Sequence, residues 1–482
     1  MPRNLTEGYH RSSTSADAAV QNLPVWTTVA VVHPVKRGAG GHVGVVGAGV
    51  AGMAAAIRLA EAGVSVSVFD PAPAAGGLAG GFSVGGGSVE RFYHHIFHSD
   101  KTSQRWINDL GLGAHLEWLP ASMGFYSGGN LYRFGTPLSL LAFRPLSVVD
   151  RVRMGLRIRG LSSQPSPDPF EEITAVEWLR QRCSERELEV FWHPMLEAKF
   201  GPDSDAVSMA WLWARFRARV GGSAGLRERL GYLRGGFQQL GDRMADRALE
   251  LGVEVHFGSR VREVQIDEHG VAALSDADGR RFAVDAIVWT PSLNALARAV
   301  PALRADYREV CAGIRYHHAV VMVVELERSA LPYYWVTVGD RRLPFTVAVE
   351  HTRLVGTTDY SGRTIVYLGR YSPPDDPIVS EADESVRERF LGAAADAFSE
   401  GFRHPLAAHL FRAPAAQPIV PPGWGRKKPS LRTGLRGLVT ANIAQIYPWD
   451  RGINYSIELG EQAAKAVLDE LEVPTSAAAA LG

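Results

Sequence analysis

Gly47-Ala48-Gly49-Val50-Ala51-Gly52 is a G-x-G-x-x-G run, and the carboxylate of Asp70 follows 23 residues after its first glycine. Such a run binds a pyrophosphate when it turns from a strand into a helix: Gly47 permits the turn, Gly49 lets backbone approach phosphate oxygens, and Gly52 lets helix and strand pack closely. The helix start at Val50 and Ala51 then offers unpaired N–H groups and the positive end of a dipole, and Asp70 can accept hydrogen bonds from a ribose. The motif alone does not separate FAD from NAD. A second constellation is His94, His95 and His98 in RFYHHIFHS. Imidazoles titrate near neutrality and suit hydrogen bonding or proton transfer; packing within a loop is the alternative. They match no zinc spacing and have no acidic partner among them, so no metal site is expected.

The elements needed to position these groups are readable around them. HVGVVGAG is a buried-strand pattern, the Ala-rich run after Gly49 is a helix ending before Gly63, and VSVSVFD is a second strand. Together they make a βαβ unit and require a parallel sheet with a right-handed crossover. Between about 100 and 230 the pattern is mainly helical, with helices over 175–183 and 207–220 and a hairpin at Gly128-Gly129-Asn130. After Gly235 the α/β character resumes through VEVHFG, VREVQID and DAIVWTP. HHAVVMVVELE, YYWVTVG, FTVAVEH and TIVYLGRY then read as an antiparallel sheet, and GLVTANIA with a helix from Ile453 closes the chain.

Composition narrows the function classes. The 482 residues carry 51 Lys+Arg against 51 Asp+Glu, so there is no global field for polyanions and nucleic acid is an unsuitable partner. Cys183 and Cys311 form neither a disulfide framework nor a Cys-rich zinc site, which favours the cytoplasm. No apolar run approaches the ~20 residues of a membrane span, and neither a span nor a secretory signal is read near the N-terminus. The length suits two or three domains. Residues 134–160 mix Leu138, Leu140, Leu141, Leu146, Val148, Val149, Met154 and Leu156 with Arg144, Arg151, Arg153, Arg157 and Arg159. This leaves open a peripheral membrane contact, an anionic substrate, or an ordinary helix with a solvated Arg face. Arg215 and Arg219, at i,i+4 spacing, raise the same alternatives.

Pro71 to Gly81, with its glycine doublet Gly76-Gly77 before Leu78, resembles the segment that follows the dinucleotide motif in the amine oxidase, protoporphyrinogen oxidase and phytoene desaturase superfamily. Gly235-Gly236-Phe237 and DAIVWTP resemble later motifs of that superfamily. Thr440-Ala441-Asn442 and Asp450-Arg451-Gly452-Ile453-Asn454 resemble the segment that meets the ribityl chain and the flavin pyrimidine ring. The sequence departs from the pattern at Asn442, where an acid is frequent, and near the doublet, where Ala74 and Ala75 stand in place of an Arg. The resemblance implies FAD as cofactor, with Gly47, Gly49, Ala51, Gly52, Asp70, Gly76, Gly77, Leu78, Val261, Asn442, Asp450, Gly452, Ile453 and Asn454 as its binding residues. Locally, His95-Ile96-Phe97-His98-Ser99 is similar to the PHIFHT stretch of UDP-galactopyranose mutases, which implies His95 beside the flavin.

The expected fold is therefore α/β: a Rossmann-like FAD-binding domain of the GR2-type flavoproteins with a discontinuous α+β substrate domain and helical insert. The expected segments are a disordered N-terminal extension (1–41), FAD-binding parts (42–99, 231–309, 426–482), a mostly helical cap (100–230) and an antiparallel-sheet substrate domain (310–425). The expected function is an FAD-dependent oxidoreductase that oxidises a C–N or C–C bond of a small organic substrate by hydride transfer to flavin N5. His95 and His351 are its catalytic candidates. A non-redox flavin-dependent sugar mutase is the alternative. Trp192-His193-Pro194, Lys199-Phe200-Gly201, Arg370-Tyr371 and Tyr447-Pro448-Trp449 either line the substrate cleft or pack and cap element ends.

Overall fold

The computed structural model describes residues 41–220 and 228–472; the expected extension lies outside the described residues apart from Gly41, as does the side chain of Arg219. The strand His42–Val46 is buried along its whole length. It pairs in parallel with Ser65–Asp70 on one side and Ala286–Trp289 on the other. Glu254–Phe257 extends the sheet beyond Ser65–Asp70, and Leu438–Thr440 extends it beyond Ala286–Trp289, both in parallel. Strands covered on both faces carry continuous apolar runs, which is why HVGVV and AIVW lack alternation.

The crossover helix Val50–Glu61 buries Met53, Ala54, Ala55, Ala56, Ile57 and Leu59. It packs against Gln238–Glu250 and the C-terminal helix Ile453–Glu470. Gly52 lets the helix lie close against the strand and turn it leaves: a Cβ there would lie 1.8 Å from the Gly47 carbonyl oxygen and 3.3 Å from Val45. A three-stranded antiparallel sheet, Val261–Asp267, Gly270–Asp276 and Arg281–Ala283, adjoins the parallel one in sequence.

A seven-stranded sheet runs in the order Ala407–Pro418, Tyr316–Leu326, Thr364–Ser372, Val347–Glu350, Trp335–Val338, Met123–Ser127, Asn130–Phe134. It is mixed, which corrects the antiparallel expectation: Trp335–Val338 and Met123–Ser127 pair in parallel. The last two strands come from the stretch read as mainly helical. Gly128 and Gly129, with φ of 55° and 78°, close them into a hairpin. The turn is local and was readable; the partner that covers the hairpin edge lies some two hundred residues away and was not. The helices Val148–Ser163, Ala175–Arg180, His193–Phe200 and Met209–Val220 share an apolar core that includes Phe143, Met154, Trp192, Phe200 and Leu212. Among the described residues no helix is long and apolar enough to cross a membrane.

Candidate cofactor and substrate site

The ends of the parallel strands open onto one cavity of about 760 Å³. Gly47 turns the chain out of its strand with φ +102°, and a Cβ there would meet the Thr290 hydroxyl at 2.1 Å. A Cβ on Gly49, by contrast, would find only Gly77 Cα at 3.9 Å. The helix that follows has no side-chain cap, so its first N–H groups face the cavity with no side chain competing for them. Asp70 accepts from the Ala48 N–H (2.6 Å) and the Ala72 N–H (2.7 Å). Burial raises its pKa against these bonds and the charges of Arg260 and Arg91. Each carboxylate oxygen keeps a further lone pair. Arg260, Arg262, Arg298 and Arg451 give the wall a cationic character.

Of the expected cofactor residues, Gly47, Gly49, Ala51, Asp70, Gly76, Gly77, Leu78, Val261, Asn442, Gly452 and Ile453 all lie on this wall. Gly52, Asp450 and Asn454 do not. Gly52 serves the strand–helix contact described above. The buried Asn454 accepts from the Ser103 N–H (3.1 Å) and donates to Glu458 (2.8 Å), tying the C-terminal helix to Lys101–Asp109. Asn442 uses its side chain inside the protein: its amide donates to the Thr290 and Pro291 carbonyls (3.1 and 2.8 Å), and its oxygen accepts from Tyr316 (2.8 Å) and the Ala444 N–H (3.0 Å). A carboxylate would lack the two donors, which accounts for the departure from the acidic pattern at this position.

The C-terminal helix also lacks a side-chain cap, and Gly452, Ile453 and Ser456 bring its N-terminus to the cavity. Beside it lies a charge cluster. Asp450 accepts from Lys199 (2.9 Å) and Arg215 (3.2 Å). Burial opposes its ionisation, yet the charges of Lys199, Arg215 and Arg451 hold its pKa below the usual range. Arg451 donates to Gln417 (2.9 Å) and to the Tyr371 hydroxyl. Burial raises the Tyr371 phenol, but Arg451 and Lys199 outweigh it and bring it down. The sequence marked Lys199, Tyr371 and Asp450 separately, on distant segments, and carried no signal that they meet.

The histidine run is placed differently from the expectation. His94, not His95, reaches the cavity wall. Its Nδ1 is bonded to the Phe92 carbonyl, which requires the Nδ1–H tautomer and leaves Nε2 as an acceptor. Burial, reinforced by the charges of Arg451 and Lys199, lowers its pKa to about 4, so it is neutral at pH 7. His95 instead packs among Phe97, Tyr334 and Trp335, with its Nδ1 3.3 Å from the Tyr334 hydroxyl. His98 stacks on Trp118. His351 is 3% exposed, packed by Tyr232, Tyr360 and Tyr367, with Nε2 3.0 Å from the Tyr360 hydroxyl. Burial alone lowers its pKa to about 3. The structure does not bring His351 to the cavity.

Residues 50–468 match the family described as flavin containing amine oxidoreductase. A protein of Synechococcus elongatus assigned as a zeta-carotene desaturase is 24% identical over 406 residues, covering 73% of this chain and 82% of the relative. A solved structure from Exiguobacterium sp. 255-15, assigned as a protoporphyrinogen oxidase, superposes with a TM-score of 0.71 at 17% identity, covering 90% of this chain and 99% of the other. Cyclohexylamine oxidase from Brevibacterium oxydans superposes with a TM-score of 0.67 at 18% identity, over 90% of this chain and 99% of that one. At these identities the structural likenesses establish the fold.

Proposed function

The chain belongs to the flavin-containing amine oxidoreductase family, FAD-dependent oxidoreductases, and from that membership we propose that it oxidises a C–N or C–C bond of a small organic substrate. The observation that carries the reading is that two uncapped helix N-termini, at Val50 and Ile453, meet one cavity that also holds Asp70 and Val261. When bound, FAD supplies the acceptor for a hydride, taken at N5. The backbone at Gly47, Gly49 and Ala51 would hold the diphosphate and Asp70 a ribose, with Gly76, Gly77, Leu78 and Val261 completing the wall. Gly452 and Ile453 would offer the bound cofactor N–H groups and the positive end of a helix dipole, which favour negative charge, and Arg451 would add to that potential. Gly52, Asn442, Asp450 and Asn454 are positioning residues in this reading. The hydrogen-bonding role expected of His95 passes to His94, whose neutral ring offers a lone pair on the wall; His351 is a packing residue.

In this reading the segments 42–99, 231–309 and 426–482 make a GR2-type FAD-binding domain, and 100–230 with 310–425 cover it. Relatives named for amine oxidation and for carotene desaturation support both bond classes. The test is the visible spectrum of the purified, desalted protein, followed by anaerobic bleaching with amines, porphyrinogens, polyenes and nucleotide sugars. FAD near one per chain that an amine or polyene bleaches supports the reading. Turnover of a nucleotide sugar without net consumption of an acceptor would replace it with an isomerase. Gly49→Ala places a methyl in open cavity space, so FAD affinity should fall on the order of tenfold while the apoprotein melts unchanged. Undiminished affinity would remove Gly49 from the cofactor site.

A further inference from the structure

The surface formed by residues 137–160 departs from a normal soluble face. Six of the nine large apolar side chains exposed among the described residues lie here: Leu138 (72%), Leu141, Val148 (65%), Val149, Val152 and Leu156 (66%). On the helix Val148–Ser163, Met154 and Leu161 face the core. Val148, Val149, Val152 and Leu156 fall within an arc of about 100° on the opposite side, where a surface helix ordinarily carries polar residues. The short helix Pro137–Leu141 is locked beside them. Arg151 donates to the carbonyls of Leu141 and Leu146, and a Cβ on Gly155 would lie 3.5 Å from Leu140. Apolar residues from two helices therefore form one surface, larger than the scattered exposure usual for a soluble protein.

Charge indicates what covers it. Arg133, Arg144, Arg153 and Arg159 are exposed around the patch and form no ion pair among the described residues. Arg151 and Arg157 are occupied, by carbonyls and by Glu187 respectively. Asp150 is the sole carboxylate between Glu117 and Asp168, and Ser147 is hydrogen-bonded to it. A two-fold contact with a second copy would set these arginines against themselves. An anionic bilayer satisfies both features: the apolar side chains enter the headgroup and acyl boundary while the guanidiniums meet lipid phosphates. We propose that the face built by Pro137–Leu141 and Val148–Ser163 docks this protein on an anionic lipid surface. It is a peripheral contact and does not depend on the identity of the substrate.

The test uses the full chain with its cofactor bound and vesicles of phosphatidylcholine with or without 30% phosphatidylglycerol (about a third, a composition chosen to supply the surface charge at issue). Co-sedimentation should favour the anionic vesicles and weaken with salt. Leu156→Gln should reduce binding on the order of tenfold, and Arg144→Gln and Arg153→Gln by about fivefold each. Flavin content and melting temperature serve as controls, since all three side chains are solvent-facing. Equal or no binding to both vesicle types would overturn the proposal, as would anionic-vesicle binding that none of the variants weakens. Concentration-dependent dimerisation abolished by Leu156→Gln, without vesicle binding, would assign the face to a second copy instead.

Discussion

Gly460 on the C-terminal helix sits against Ala51 on the crossover helix so closely that a Cβ at 460 would lie 2.2 Å from the Ala51 carbonyl oxygen. The two helices whose N-termini reach the cavity are thus held by a contact that admits no side chain. Gly460→Val should destabilise the fold by about 1–3 kcal/mol and loosen both termini together. Thermal melting and flavin retention should fall in parallel; a variant that melts normally would mean that the helices have another way to accommodate the side chain.

Asn442 provides a second structural test. Asn442→Asp removes two donors from the buried Thr290 and Pro291 carbonyls and sets a carboxylate against them. The expected cost is about 3 kcal/mol at neutral pH, smaller in acid where the new carboxyl is protonated. A denaturation midpoint equal to wild type at pH 7 would show that the acid frequent at this position in the superfamily is tolerated here.

Stability should also depend on Glu90. This carboxyl is buried at the end of Gly87–Glu90, where it accepts from the Phe237 N–H (2.6 Å) and the Tyr232 hydroxyl (3.2 Å). Burial raises its pKa from 4.5 to about 7, against those hydrogen bonds. The folded state therefore binds the proton more tightly than the unfolded one. Its contribution is complete below pH 4.5 and is lost as pH rises through 7, a change on the order of 3 kcal/mol. Glu90→Gln should flatten that part of the curve of melting temperature against pH. An unchanged slope in the variant would assign it to other groups, Asp100 first, whose burial raises its pKa to about 6.

The two adjacent histidines should separate in function. His94→Ala should shift the flavin absorption bands and change the rate of anaerobic reduction on the order of tenfold, whereas His95→Ala should leave both near wild type. The reverse result would restore His95 as the residue beside the flavin.

The strand–turn–helix–strand unit and its glycines were legible in the sequence because their signals are local. A buried parallel strand must be continuously apolar, Gly47 must adopt a positive φ, and Gly52 must lack a side chain, all within six residues of one turn. The glycine doublet and the Gly452-Ile453 segment were legible through their resemblance to the superfamily's motifs, and both reach the cavity wall. Tertiary structure decided what depends on distance or on side-chain direction. Adjacent His94 and His95 have the same chemistry, and only the packing of Tyr334 and Trp335 turns one away from the cavity. Arg215 meets Asp450 across 235 residues, and no spacing rule spans that separation. The same limit hid the parallel pairing that brings Met123–Ser127 into the large sheet. Periodicity reports which face of an element is buried; it does not report which element buries it.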